Sequence, residues 1–172
     1  MLVLGLDPGL QRTGWGVVRY QRGVLSYVAS GVVSSIAKAD TASRLLQIYQ
    51  GLQTILEAWQ PETAAVEETF VNANATSTLK LGLARGVVLL APAAYGISVA
   101  EYTANQVKKS VTGAGHAGKE QVQAMVQRLL PGLNQQPLAP DAADALAIAI
   151  CHSHMGGHMG AGHMGGGHSY KK

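Results

Sequence analysis

Apolar and polar positions recur along this chain with two different periods, and the places where the period changes outline its elements. Residues 2–6, Leu-Val-Leu-Gly-Leu, form a short apolar run ending at Asp7-Pro8-Gly9. Proline pre-sets one turn dihedral and glycine accepts positive φ, so the pattern predicts a strand and then a turn. Two further strand patterns, 14–20 and 24–34, flank the turn-prone Gln21-Arg22-Gly23 and complete an antiparallel meander. Leu45, Ile48, Tyr49, Leu52, Ile55 and Leu56 then fall at three- and four-residue spacing, which predicts an amphipathic helix capped by Asp40 or Thr41 and ended before Pro61. A strand is predicted at 64–68, a Leu- and Ala-rich helix at 74–91 that Pro92 to Gly96 closes, and a strand at 97–101. The order is β-β-β-α-β-α-β, followed by helices.

The Gly- and Lys-rich stretch 103–119 reads as a loop or broken helix leading into a helix at 119–130. Three prolines between Pro131 and Pro140 mark a linker, and the alanine-rich pattern from Asp141 to Cys151 is helical again. From His152 the chain repeats His-Met-Gly, with little apolar bulk beyond its methionines, and a flexible tail is expected, with the domain boundary at 154/155.

Composition narrows the class. The 172 residues suit one domain, and 47% hydrophobic against 13% charged residues is ample for a core and excludes wholesale disorder. Charged or turn-forming residues interrupt each apolar stretch before the ~20 residues a membrane span needs, so no membrane association is expected. No export-type leader is seen, and a single cysteine, Cys151, cannot close an internal disulfide, so the expected compartment is the cytoplasm. A net charge of +3 hints weakly at a polyanionic partner, because two of the positive charges are the terminal Lys171 and Lys172.

Candidate chemistry lies in carboxylates at element ends, where α/β folds place ligand-binding groups. Asp7 ends the first strand, Glu67 and Glu68 end the fourth, and Asp141 and Asp144 share one face at a helix start. Neighbours on a strand point to opposite faces, so one of Glu67 and Glu68 shares a cleft with Asp7. Bland roles exist: Asp7 as an Asx-turn residue and Asp141 as a cap or first-turn acid. Asp144 sits among alanines and isoleucines, an expensive place for an acid unless it is used. Converging carboxylates call for cations, and hard oxygen donors suit Mg2+ or Mn2+, two of which can clamp the oxygens of a phosphodiester displacement.

Five segments in order resemble the RuvC-type Holliday-junction resolvases: Leu4 to Gly9 with Thr13-Gly14-Trp15-Gly16, Val66 to Phe70, Leu79 to Gly86, Val107 to Val122, and Asp141 to Ala147. The resemblance spans residues 1 to about 154. It implies an α/β, ribonuclease H-like fold, a mixed five-stranded sheet flanked by helices, in a homodimer that nicks opposed strands of four-way junction DNA. By position the family's metal-binding and catalytic acids fall on Asp7, Glu67, Asp141 and Asp144, with Glu67 chosen over Glu68 because the family's acid stands three residues before the Phe. The resemblance further implies two Mg2+ per subunit, with Mn2+ as a substitute, and catalytic lysines at Lys108 and Lys119. The DNA contacts it implies are Phe70, Lys80, Arg85, Lys108, Lys109 and Lys119, with Phe70 a wedge that stacks on bases. A branch-migration motor complex is an implied partner.

Without the resemblance, Phe70 reads as a core residue and the lysines as solvated loop charges. Leaving out the terminal lysines and four metal-bound acids, 11 basic residues face 6 acidic ones, a basic exterior suited to phosphate contacts. The chain departs from the family pattern at Pro92, at Glu68-Thr69 and in the tail, whose histidines suit borderline metals such as Ni2+, Cu or Zn2+. Residues 4–14 also fit the phosphate loop of actin-like kinases, but that fold needs two such domains and 172 residues cannot hold them. A silent junction-binding module and a ribonuclease H acting on RNA–DNA hybrids are the other rivals. The presence of all four acids disfavours the first of these.

Overall fold

Turn chemistry and strand alternation build the sheet outward from its first strand. In the computed structural model, which describes residues 1–68, 74–133 and 138–156, strands β1 (Leu2–Asp7), β2 (Arg12–Gln21) and β3 (Val24–Ser34) form the expected antiparallel meander. Arg22 and Gly23 make its second turn with φ of 51° and 83°. Helix α1 (Thr41–Trp59) begins at Asp40, whose Oδ1 accepts the Ser43 N–H at 2.9 Å, and leads to β4 (Thr63–Glu67), parallel to β1. Helix α2 (Ala75–Tyr95) then leads to β5 (Ser98–Tyr102), parallel to β4. The result is one mixed five-stranded sheet in the order β3-β2-β1-β4-β5.

Each face of the sheet carries a core. Leu4, Leu6, Ala64 and Val66 point one way, into a layer with Ile48, Leu52 and Leu56 of α1 and Ala84 and Val88 of α2. Val3 and Ala65 point the other way, where α3 (Ala104–Thr112), α4 (Lys119–Leu129) and α5 (Pro140–Gly156) pack. Helix α5 is buried along most of its length from Ala142 to Ser153. It can lie directly on the sheet because glycines replace side chains beneath it. A methyl group at Gly5 would strike the backbone of Ala145 and Ala149, one at Gly14 the carbonyl of Asp141, and one at Gly16 the side chain of Leu146.

Three details refine or differ from the sequence expectation. Pro92 does not end α2; the helix continues to Tyr95 and closes at Gly96, in the left-handed region at φ 92°. Proline costs only one backbone hydrogen bond here, in the last turn, and its ring is buried against the core. Part of the 103–119 stretch is a helix, α3, started by a capping box in which Thr103 and Gln106 satisfy each other's backbone N–H groups. The Gly113 to Gly118 segment joins it to α4. Finally, α5 runs five residues beyond Cys151, so the expected tail begins within a helix and the 154/155 boundary falls inside it. The cause is His152, which turns inward: its Nε2 lies 3.0 Å from Thr63 Oγ1 and its Nδ1 2.8 Å from the Tyr102 hydroxyl. Residues 157–172 lie outside the described residues, as does 134–137 of the linker. By length and composition alone α2 is apolar enough to cross a membrane, with mean hydropathy 1.2, but it carries Lys80 and Arg85 and packs on α1 and the sheet.

Candidate active site

Parallel pairing brings the first two acids together. Leu6 lies opposite Val66 in the β1–β4 ladder, so the next residues, Asp7 and Glu67, leave the same end of the sheet on the face that carries α5. The turn after Asp7 is pinned by Thr13, whose hydroxyl donates to the Gly9 carbonyl at 2.8 Å, and by Ser35, whose hydroxyl donates to the Leu10 carbonyl. The first turn of α5, docked over Gly14, supplies Asp141 and Asp144. Glu68 stands just past the end of β4, is exposed, and does not line the cavity beside Glu67.

The acids feel one another. Burial, and then the charges of Asp144, Glu67 and Asp141, push the Asp7 carboxyl up to about 7, with Lys119 opposing. Glu67 is raised by burial and by Asp144, against the pull of Lys108 and Lys119. Crowding of this kind asks for a cation and marks a functional cleft. A cavity of about 240 Å³ opens beside them, lined by Glu67, Lys108, Lys119 and Asp144 over the apolar floor of Val107, Val122 and Ala147.

Two basic residues hold two of the acids. Lys119 Nζ donates to Asp144 Oδ2 at 2.7 Å, and Arg12 Nε donates to Asp141 Oδ2 at 2.7 Å. Lys119 opens α4, where a positive charge faces the unfavourable end of the helix dipole. Its hydrogen bond to Asp144 compensates, and with the nearby acids raises the lysine above its ordinary value despite partial burial. Lys108, on α3, reaches the same cavity from the other side. Arg12 was not among the residues singled out in the sequence, since nothing in an arginine five residues past Asp7 signals contact with an acid 129 positions away.

Among the described residues no three acids, histidines or cysteines stand ready-grouped for a metal ion. The donor set nevertheless fits hard divalent cations: four carboxylates, two of them, Asp7 and Glu67, half-buried and repelled by their neighbours. The other two pair with Arg12 and Lys119.

The remaining expected DNA contacts are dispersed. Lys80 and Lys109 are exposed on α2 and α3 and do not line the cavity. Arg85 is not brought to the cavity; its guanidinium pairs with Glu101 of β5, and its Nε is buried without a partner. Phe70 lies outside the described residues.

The family profile of the crossover junction endodeoxyribonuclease RuvC matches residues 3–152. The chain belongs to the RuvC family. It is 55% identical over 159 residues to the RuvC crossover junction endodeoxyribonuclease of Nitrobacter hamburgensis, covering 92% of this chain and 91% of that one. It is 54% identical over 152 residues to that of Brucella anthropi, with coverage of 88% and 87%. Its fold matches that of Thermus thermophilus RuvC in complex with Holliday junction substrate, with a TM-score of 0.84 and 36% identity over 91% of this chain and 94% of the other. The yeast mitochondrial Holliday junction resolvase shares the fold, with a TM-score of 0.67 at 13% identity. The RuvC-family match thus covers the five strands, apart from Leu2 at the start of β1, and the four acids.

Proposed function

We propose that this RuvC-family chain is a divalent-metal-dependent endonuclease that resolves four-way DNA junctions as a cytoplasmic homodimer. The observation that carries the reading is the gathering of Asp7, Glu67, Asp141 and Asp144 from β1, β4 and α5 at one end of the sheet, with Lys108 and Lys119 facing them across the cavity. The four acids would hold Mg2+ or Mn2+, two ions per subunit, and such ions stabilise charge on the attacking and leaving oxygens of a phosphodiester. Lys119, protonated at neutral pH, supplies positive charge where negative charge develops on the scissile phosphate, and Lys108 does so from α3.

Two coordinated nicks need two sites. The exposed face of α2 offers a means of pairing two copies: Leu79, Leu83 and Leu90 stand 66%, 41% and 59% exposed. Gly82 and Gly86, with open space above them, fall in the same stripe. Leucines flanked by glycines let two helices approach closely, which supports the homodimer. The resemblance in sequence also supports cooperation with a branch-migration motor complex, and Phe70, Lys80, Arg85 and Lys109 as further DNA contacts.

A synthetic mobile four-way junction, compared with linear duplex of the same sequence in Mg2+, tests the reading. Symmetric nicks that a ligase reseals, on the junction only, are the expected products. Equal cutting of the duplex, or binding of the junction with no cutting in either metal, would return the chain to the general nucleases or to the silent binding modules.

A further inference from the structure

A half-exposed ion pair at the rim of the cleft sits on an acid the proposed chemistry needs. Arg12 and Asp141 are 51% and 31% exposed, and Nε meets Oδ2 at 2.7 Å. As a stabilising pair this is worth little, because two solvated side chains in one geometry gain about 0.2–1 kcal/mol. Its position is the informative feature. Arg12 opens β2 immediately after the pinned turn that follows Asp7, so the backbone that fixes Asp7 also aims the guanidinium. Asp141 lies in the first turn of α5, so the pair ties β2, the strand beside Asp7, to the helix that supplies two of the four acids. Asp141 is paired with Arg12 as Asp144 is with Lys119.

The guanidinium also has somewhere to go. Arg12 borders a second cavity, of about 330 Å³, which lies away from Glu67 and is lined by Tyr27, Ser30, Leu138, Ala139 and Ala142. A rotation of the arginine side chain toward this cavity releases Asp141 without moving backbone, and the half-exposed guanidinium is then open to a phosphate on that side of Asp141.

We infer that Arg12 is a positioning residue that occupies the Asp141 carboxylate in the metal-free protein and exchanges it for a DNA phosphate when a divalent cation takes that carboxylate. The inference rests on the metal reading above and adds that charge at residue 12 couples metal binding to phosphate binding. An arginine suits the exchange because its fork pairs with carboxylate and phosphate alike.

Two measurements on the full chain test it. Calorimetric titration of Mn2+ into the DNA-free protein should show Arg12→Gln binding about two- to fivefold more tightly than the parent, since the competitor for Asp141 is gone. Arg12→Lys, which keeps the charge but not the fork, should fall between them. The salt dependence of junction binding gives the second readout, one that a purely structural role would not move. In EDTA the parent and Arg12→Gln should share one slope of log affinity against log salt. In Ca2+, with the junction verified intact on a denaturing gel, the parent should be steeper by about 0.9, one phosphate contact. Equal or weaker Mn2+ affinity in Arg12→Gln overturns the exchange. A slope difference equally large in EDTA overturns it too, because Arg12 is then an ordinary phosphate contact, and so does identical slope in both media. If the parent binds no Mn2+ at all, the metal reading itself fails and the inference falls with it; junction cutting in a metal chelator would identify that failure separately.

Discussion

Asp7 shows how a single position carries both the cost and the use of this site. Its carboxyl is pushed up to about 7 from an ordinary value near 3.8 by burial and by three neighbouring acids. In the metal-free protein the folded state therefore keeps a proton that the unfolded chain gives up. Between about pH 4 and 7 the unfolded state binds fewer protons, so stability falls as pH rises and the loss is complete above about 7. Asp7→Asn removes this penalty: the metal-free variant should melt higher than the parent at pH 8, with the gap closing toward pH 4. Thermal melts in EDTA across that range check it, and a variant that melts lower than the parent at pH 8 would mean that Asp7 is satisfied as a carboxylate. The same residue shows what sequence makes legible. Asp7 was visible because a turn follows it, and Asp144 because an acid among alanines is costly. Arg12 was invisible because its only signal is a partner 129 residues away.

At the scale of elements, the docking of α5 on the sheet decides whether the acids meet. Gly5, Gly14 and Gly16 are the sequence's provision for that contact, and at Gly14 even a methyl group would strike the Asp141 carbonyl. Gly14→Ala should cost about 1–3 kcal/mol of stability through overpacking. It should also displace the first turn of α5, so that cleavage falls further than the fraction unfolded explains. Denaturant melts and activity per folded molecule separate the two effects; parental activity per folded molecule would show that α5 tolerates the shift. The first strand is legible as a short apolar run bounded by turn residues, because the central strands β1 and β4 are buried on both faces. Helix α3 is ambiguous in the sequence because its lysines and flanking glycines mask a pattern that a capping box and the burial of Val107 and Val111 decide in three dimensions. The last turn of α5 was missed for a related reason: His-Met-Gly composition speaks for flexibility, while two hydroxyls from β4 and β5 hold His152 inside. Burial holds that imidazole below its ordinary range, so it remains neutral near pH 7.

At the scale of the whole molecule, the proposed assembly is two copies on one junction. The α2 stripe predicts that Leu83→Lys together with Leu90→Lys yields a folded monomer by light scattering, because two buried charges at a helix pair are costly. That monomer should nick junctions singly and lose paired incision; an unchanged dimer would place the interface elsewhere. The most direct measurement is cleavage and binding of one synthetic junction by five single amides in saturating Mg2+: Asp7→Asn, Glu67→Gln, Asp141→Asn, Asp144→Asn and the control Glu68→Gln, which points out of the cleft. The first four should cleave at least about a hundredfold more slowly, a loss of roughly 2.7 kcal/mol of transition-state stabilisation, while binding the junction as tightly as the parent, since phosphate contacts supply that affinity. Glu68→Gln should cleave at the parental rate. Parental cleavage by any of the first four, or an inactive Glu68→Gln beside an active Glu67→Gln, would contradict the assignment of the site.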